Sequence, residues 1–150
     1  MSKKINIQST NFHKIIRNDV EGSILEYKSQ VINTMMYIGE KVVETARNMG
    51  SYNDITGNLR SSIGYTILED GKPIKLFSLK IVKNGDEGAR KAEELLNSMK
   101  YKYPSGIVLT ICAGMEYGYH VEVVHHRDVL TSAELEMVRL SDKLIKSIFK

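Results

Sequence analysis

The sequence predicts an α+β fold with a mostly antiparallel sheet of about four strands. Three observations predict it. Apolar residues recur at steps of three and four over some thirty residues before position 50. Four short β-prone runs follow, bounded by turn signals. Helical spacing returns in two places, once between the second and third runs and once at the C-terminus.

The long helix is expected from Asn18 to Met49, with Ile24, Tyr27, Val31, Met35, Ile38, Val42, Ala46 and Met49 forming one stripe. Asn18 or Asp19 can cap its start, and Asn48 and Gly50 suit its end. About 30 helical residues would run about 45 Å, more than a small domain is wide. Part of the stripe is therefore expected to face another subunit. Residues 1–17 carry little periodicity and read as an N-terminal arm, with 18–150 as a single domain.

"SSIGYTIL" alternates Ile63, Tyr65 and Ile67 on one side, as a half-buried strand does. "EDGKP" is a turn, "IKLFSLKIV" a second strand and "NGDEG" another turn. Ala89, Ala92, Leu95, Leu96 and Met99 mark a short inserted helix closed by Pro104 and Gly106. "GIVLTICA" is the most apolar run and reads as a central strand. "MEYGYHVEVV" alternates Met115, Tyr117, Tyr119, Val121 and Val123 against Glu116, His120 and Glu122, which predicts a fourth strand. Thr131 to Glu134 spell a capping box for the last helix, whose buried face is expected at Leu135, Val138, Ile145 and Ile148.

Length and composition bound the function. The chain has 150 residues, 42% hydrophobic and 26% charged, ordinary values for one globular domain. The single cysteine, Cys112, excludes an internal disulfide and lies in an apolar run, so it reads as a buried thiol. No run approaches the roughly 20 apolar residues that span a bilayer. "MSKKINIQ" is too polar for a signal peptide, and a reducing cytoplasm is the expected setting. The +3 formal charge is scattered, which does not suggest a dedicated nucleic-acid surface.

Candidate chemistry is sparse. His120 and Glu122 would share a strand face, and His125 and His126 lie just beyond, so a small metal-dependent enzyme or nucleic-acid module is the alternative reading. The set lacks a complete ligand shell, and no metal or cofactor is expected. "TGNLRSS" offers hydroxyls, but no nucleophile elbow, phosphate loop or dinucleotide fingerprint accompanies them. Gly57 and Asn58 suit a turn, and Ser61 and Ser62 suit a strand start.

Two elements in order resemble the head–tail connector and tail-completion family of long-tailed bacteriophages. Members carry a Thr-Gly-x-Leu-Arg-x-Ser-Ile element after a first helix, which Thr56, Gly57, Leu59, Arg60, Ser62 and Ile63 match, with Asn58 in the open place. They also carry a Tyr-Ala-x-Tyr-Val-Glu type strand. Tyr117, Tyr119, Val121 and Glu122 match it, with Gly118 where alanine is usual. Spacing and order agree over roughly residues 20–148. Members often continue with a Phe-Gly-Thr turn, where this chain has "VVHHRDV", and the segment from Glu69 to Pro104 is longer than in the simplest members.

The resemblance implies a non-enzymatic virion assembly protein. It implies a sixfold ring of copies in the neck or at the tail end, docked on connector and tail proteins in the virion. DNA would pass its channel without sequence-specific binding, and no membrane would be involved. It also makes Arg60 and Glu122 the expected charge pair joining the two motifs.

Overall fold

The computed structural model describes residues 9–75 and 79–148. Among the described residues five helices and three strands follow one another as α1 (Ser9–Met49), α2 (Asn58–Ser61), β1 (Ile63–Glu69), β2 (Lys72–Lys75), α3 (Asp86–Lys102), β3 (Ile107–Ala113), α4 (Tyr117–Val123) and α5 (Thr131–Ile148). The class is α+β, with a three-stranded antiparallel sheet ordered β2-β1-β3 where four strands were expected. Among the described residues no helix is long and apolar enough to cross a membrane.

Contacts divide the chain at Asn33/Thr34. In the first unit α1 begins at Ser9, so the stretch read as an arm is helical from that residue on; residues 1–8 lie outside the described part. Every residue from His13 to Tyr27 is exposed, including Ile24 and Tyr27 of the expected stripe.

In the second unit the main core is built on one face of β1. Ile63, Tyr65 and Ile67 meet Ile38, Val42, Val43 and Ala46 of α1 and Ala133 and Leu140 of α5. Each supplies apolar groups at the period of its own element, two for the strand and three to four for the helices. Gly39 is required here, because a Cβ on it would stand 2.5 Å from the Tyr65 ring. The Tyr65 hydroxyl donates to Glu40 Oε1 at 2.8 Å, so the polar end of this buried ring is satisfied. On the other face of the sheet, Ala92 and Leu96 of α3 pack with Cys112 of β3 and with Leu79. β1 is thus covered on both sides and is buried at six of seven positions, not half-buried as its alternation suggested.

β1 and β2 join through Asp70 and Gly71, both at positive φ (48° and 75°), the two-residue hairpin geometry that matches strand twist. Asp70 Oδ1 also accepts from Gly106 N at 2.8 Å. Several expectations are corrected. β2 carries strand structure only over Lys72–Lys75 among the described residues; 79–82 are not strand and 76–78 lie outside them. Pro73 fits this edge position, where a missing N–H costs no ladder bond. β3, the most apolar run, is an edge strand, and α3 and α5 flank it instead of a fourth strand.

The expected fourth strand is helix α4. Its residues fit both periods. The helical one places Met115, Gly118 and Val121 on a shared side, against Leu59 and Val129. α5 buries a different face from the one expected. Ala133, Met137, Leu140 and Leu144 pack on the core, while Leu135, Val138 and Ile145 are each more than half exposed. The side chain of Ile148 lies outside the described residues. The expected Thr131–Glu134 capping box does not form. Groups from outside the helix cap it instead, as described below.

Candidate functional site at the helix-to-sheet junction

The stretch from Gly50 to Ser62 carries the first motif. It closes α1 and opens β1. Gly50 lets Tyr52 fold back beneath the end of the helix, since a Cβ there would lie 2.4 Å from the ring. Asp54 is buried. Its Oδ1 accepts from Leu59 N and its Oδ2 from Arg60 N, both at 3.3 Å, so a side chain satisfies the otherwise orphaned amides of the α2 turn. Thr56 Oγ1 accepts from Asn58 N. Gly57 has φ +86°, and a Cβ on it would come within 1.9 Å of Val82 O. No other residue fits.

The remaining motif residues reach outward from the turn. Asn58 Oδ1 accepts from Gly88 N at 3.2 Å and holds the first turn of α3. Ser61 Oγ accepts from Val82 N at 2.8 Å, and Ser62 Oγ donates to Leu59 O at 2.8 Å. Lys83 Nζ donates to Asp54 O at 2.6 Å. Both serines are fully buried and hydrogen-bonded, so neither hydroxyl is presented as a nucleophile.

Arg60 lies across the C-terminal end of α1. Its Nε donates to Arg47 O at 3.1 Å and its Nη2 to Gly50 O at 3.5 Å, with the guanidinium 5.3 Å from the Tyr52 ring centre. Arg47 returns the contact to Arg60 O at 3.3 Å and to Ile63 O at 2.7 Å. Cations at a helix C-terminus complete the unpaired carbonyls and oppose the negative end of the dipole. The Tyr52 hydroxyl is buried without a well-formed hydrogen bond. Burial pushes its pKa up to about 12, with Arg60 pulling the other way.

The second motif is α4. Gly118 is buried with its Cα against Leu59, while Tyr117 and Tyr119 are exposed. Glu122 turns to the start of α5. Its Oε1 accepts from the amides of Val129, Leu130 and Thr131 (3.4, 3.0 and 2.8 Å) and from Thr131 Oγ1 at 2.7 Å. Asp128 Oδ1 takes Ser132 N. Burial raises the Glu122 carboxyl, but the Thr131 hydroxyl and the amides outweigh it and hold the pKa below the usual glutamate range.

The expected Arg60–Glu122 pair is therefore not made. Each group serves the end of a different helix, Arg60 a C-terminus and Glu122 an N-terminus. The two motifs do meet, through apolar contact. Leu59 of the first packs with Tyr52, Val129 and Val121 of the second region. Beside this contact opens a surface cleft of about 760 Å³, lined among others by Tyr52, Asp54, Thr56, Tyr117, Val121 and Arg127.

His120 and His125 touch edge to face, ring centres 5.1 Å apart, and His126 sits at φ +50° in the following turn. Glu122 is committed to α5. Among the described residues no three His, Cys, Asp or Glu side chains are grouped to hold a metal ion. Cys112 is buried, which pushes its thiol up to about 12. Sequence reasoning missed Asp54, Arg47 and Lys83. Asp54 was readable in principle as an acidic residue just ahead of a short helical turn, whereas Arg47 and Lys83 gain their roles only from distant segments.

The fold and the junction define an α+β protein whose motif residues are engaged in tying helix ends to a sheet. Comparison with protein-family models, with characterised proteins and with solved structures finds no match to this chain.

Proposed function

We propose that this chain is a non-enzymatic virion assembly protein of a long-tailed phage or prophage. It forms a ring at the head–tail junction or tail end and joins head to tail. The resemblance at Thr56–Ile63 and Tyr117–Glu122 motivates the reading, and sixfold symmetry follows from that resemblance alone.

One observation supports it most directly. Apart from the exposed Tyr117 and Tyr119, the polar side chains of both motifs are spent inside the chain, on helix ends and turns, while large apolar side chains stand on its surface at helical spacing. That distribution suits a protein whose work is association. A helix-to-sheet clamp of this kind also supplies a stiff body for a ring that carries load between two larger assemblies.

The test is inactivation of the gene in the genome that encodes it. The expected phenotype is filled heads and separate tails by electron microscopy, with joining restored by the purified protein. Normal tailed particles from the inactivated genome would overturn the reading.

A further inference from the structure

Of the two edges of the sheet, one is guarded and the other is open. β2 keeps four strand residues among those described, with Pro73 between Lys72 and Lys75 and a register shift against β1 at Ile67/Leu68. Proline, charge, shortness and irregularity are the usual protections of an edge. β3 has none of them. It pairs with β1 without interruption over its seven residues, and no charged residue or proline lies between Pro104 and Glu116.

Two bonds at the ends fix which way its main chain points. Asp70 N donates to Gly106 O and Gly114 N to Ser62 O, both at 2.9 Å. Even-numbered residues of β3 therefore bond to β1, and Ile107, Leu109, Ile111 and Ala113 turn their N–H and C=O groups outward. No strand among the described residues takes these groups, and all four residues are only partly buried.

The helix above this edge is uncovered on the same side. Ile111 shares a cavity of about 220 Å³ with Leu130, Ala133 and Met137, so α5 lies over β3. α1 lies over β1, with Gly39 against the Tyr65 ring and Arg47 on Ile63 O, and it borders the flank of α5 where Tyr37 comes within electrostatic reach of Arg139. Val138 and Ile145 stand about 100–120° round α5 from Arg139. They face away from α1, beside the open edge, and are 55% and 53% exposed.

A second copy supplies what both features lack. Antiparallel pairing of β3 with β3 about Thr110 sets Ile107 opposite Ala113 and Leu109 opposite Ile111. Every outward group is then used, in about eight hydrogen bonds, close to the roughly ten of a stable interface. The strand is matched over its whole length, and no like charges are opposed along it. The nearest charges in sequence are Lys102 before it and Glu116 after it, and the antiparallel two-fold brings one copy's Lys102 toward the other's Glu116. Asp70 and Lys91, at the same two ends, already hold Gly106 N and, at 3.9 Å, Glu116. The same two-fold sets α5 beside its counterpart, with Val138 and Ile145 buried between them. Glu134 and Asp142 border that contact at the solvent rim, where screening keeps their repulsion small. The β2 edge cannot take the place of the second β3, because Pro73 has no N–H to give.

We infer that the free chain pairs with a second copy through the open edge of β3, joining two three-stranded sheets across a two-fold at Thr110 with α5 against α5. The contact is isologous and closed. It goes beyond the proposed function and does not rest on it.

Cross-linking of the full chain reads the register. In a Cys112→Ala background, Thr110→Cys puts two thiols on the two-fold, in a non-hydrogen-bonded pair with Cα atoms about 4.5 Å apart, within disulfide reach. Mild oxidation of the concentrated protein is expected to give covalent dimer and nothing larger. Val108→Cys in the same background is expected to give little, because its counterpart lies about 13 Å away along the strand. Dimer from Val108→Cys as readily as from Thr110→Cys would overturn the register, and monomer from both would overturn the inference.

Sedimentation of the unmodified chain is expected to show a monomer–dimer equilibrium. Val138→Arg changes only an exposed position and is expected to weaken it at least tenfold with an unchanged circular dichroism spectrum; an unaltered equilibrium would overturn the α5 contact. Removal of residues 1–8 is expected to leave the dimer intact, and its loss would give the edge to that segment instead of a second β3. A ring on particles without the Thr110→Cys cross-link would sink this inference and leave the proposed function standing. A cross-linked dimer from a chain absent from particles would do the reverse.

Discussion

Arg47 and Arg60 each donate to the other's main-chain carbonyl, Arg60 Nε to Arg47 O at 3.1 Å and Arg47 Nε to Arg60 O at 3.3 Å. Two like charges are held close because each is aimed at main-chain oxygen atoms, Arg60 at those where α1 ends and Arg47 at those of α2 and the start of β1. Burial lowers the Arg47 pKa, yet a guanidinium stays protonated in proteins, so both remain donors.

Arg60→Ala is therefore expected to lower stability by about 2 kcal/mol, the scale of hydrogen bonds from a charged donor. Arg60→Lys should recover less than half, because an ammonium cannot span two carbonyls as a fork does. Urea unfolding measures both. In a double-mutant cycle Arg60→Ala and Glu122→Ala should add within about 0.5 kcal/mol, and a larger coupling would contradict the separate roles assigned here.

Glu122 predicts an acid dependence. Its folded pKa is depressed, so its contribution is complete above the unfolded glutamate value of about 4.3 and is lost as the pH falls through the lower folded value. Glu122→Gln should cost about 1 kcal/mol near neutral pH, as loss of a good cap does. Its stability should also fall less steeply than that of the parent below about pH 4.5. Parallel pH profiles for the two proteins would count against the cap.

Two glycines should respond with opposite sign. Gly57→Ala forces a Cβ to within 1.9 Å of Val82 O at a positive φ and should cost about 3 kcal/mol or prevent folding. Gly22→Ala meets open space within α1 and should add helical content and about 0.5–1 kcal/mol of helix stability. Circular dichroism and thermal melts separate the two.

Tyr52→Phe should be neutral or stabilising by up to about 1 kcal/mol, because it removes a buried hydroxyl that lacks a well-formed hydrogen bond and keeps the ring under Gly50. A loss above about 1 kcal/mol by denaturant unfolding would show that the Arg60 contact to that hydroxyl matters.

Cys112 should stay unmodified by a thiol reagent at pH 8 in the native protein and react on unfolding, since burial keeps it protonated. Rapid native-state labelling would mean that β3 opens away from α3.

The sequence by itself determined the features whose cause is local. Asp70 and Gly71 announce a hairpin because both tolerate positive φ, and Gly57 with Asn58 announces a turn for the same reason. α3, β1 and β3 appear where their periodicity placed them, and the α1 stripe is packed from Val31 to Ala46, while Ile24, Tyr27 and Met49 of it are exposed. Tertiary structure decided whatever depends on a neighbour. Residues 117–123 suit a strand at period two and a helix at period three to four, and contact with Leu59 and Val129 selects the helix. α5 has apolar residues on two faces. The space between α1 and β3 admits Ala133 and Leu140, leaving Leu135, Val138 and Ile145 outside. The most apolar strand lies at the sheet edge because residues 117–123, which were expected to extend the sheet, are helical. Arg60 and Glu122 had the right charges for each other, but unpaired helix ends lay nearer. A composition pattern records that a side chain needs a partner, and only the packed chain fixes which one is within reach.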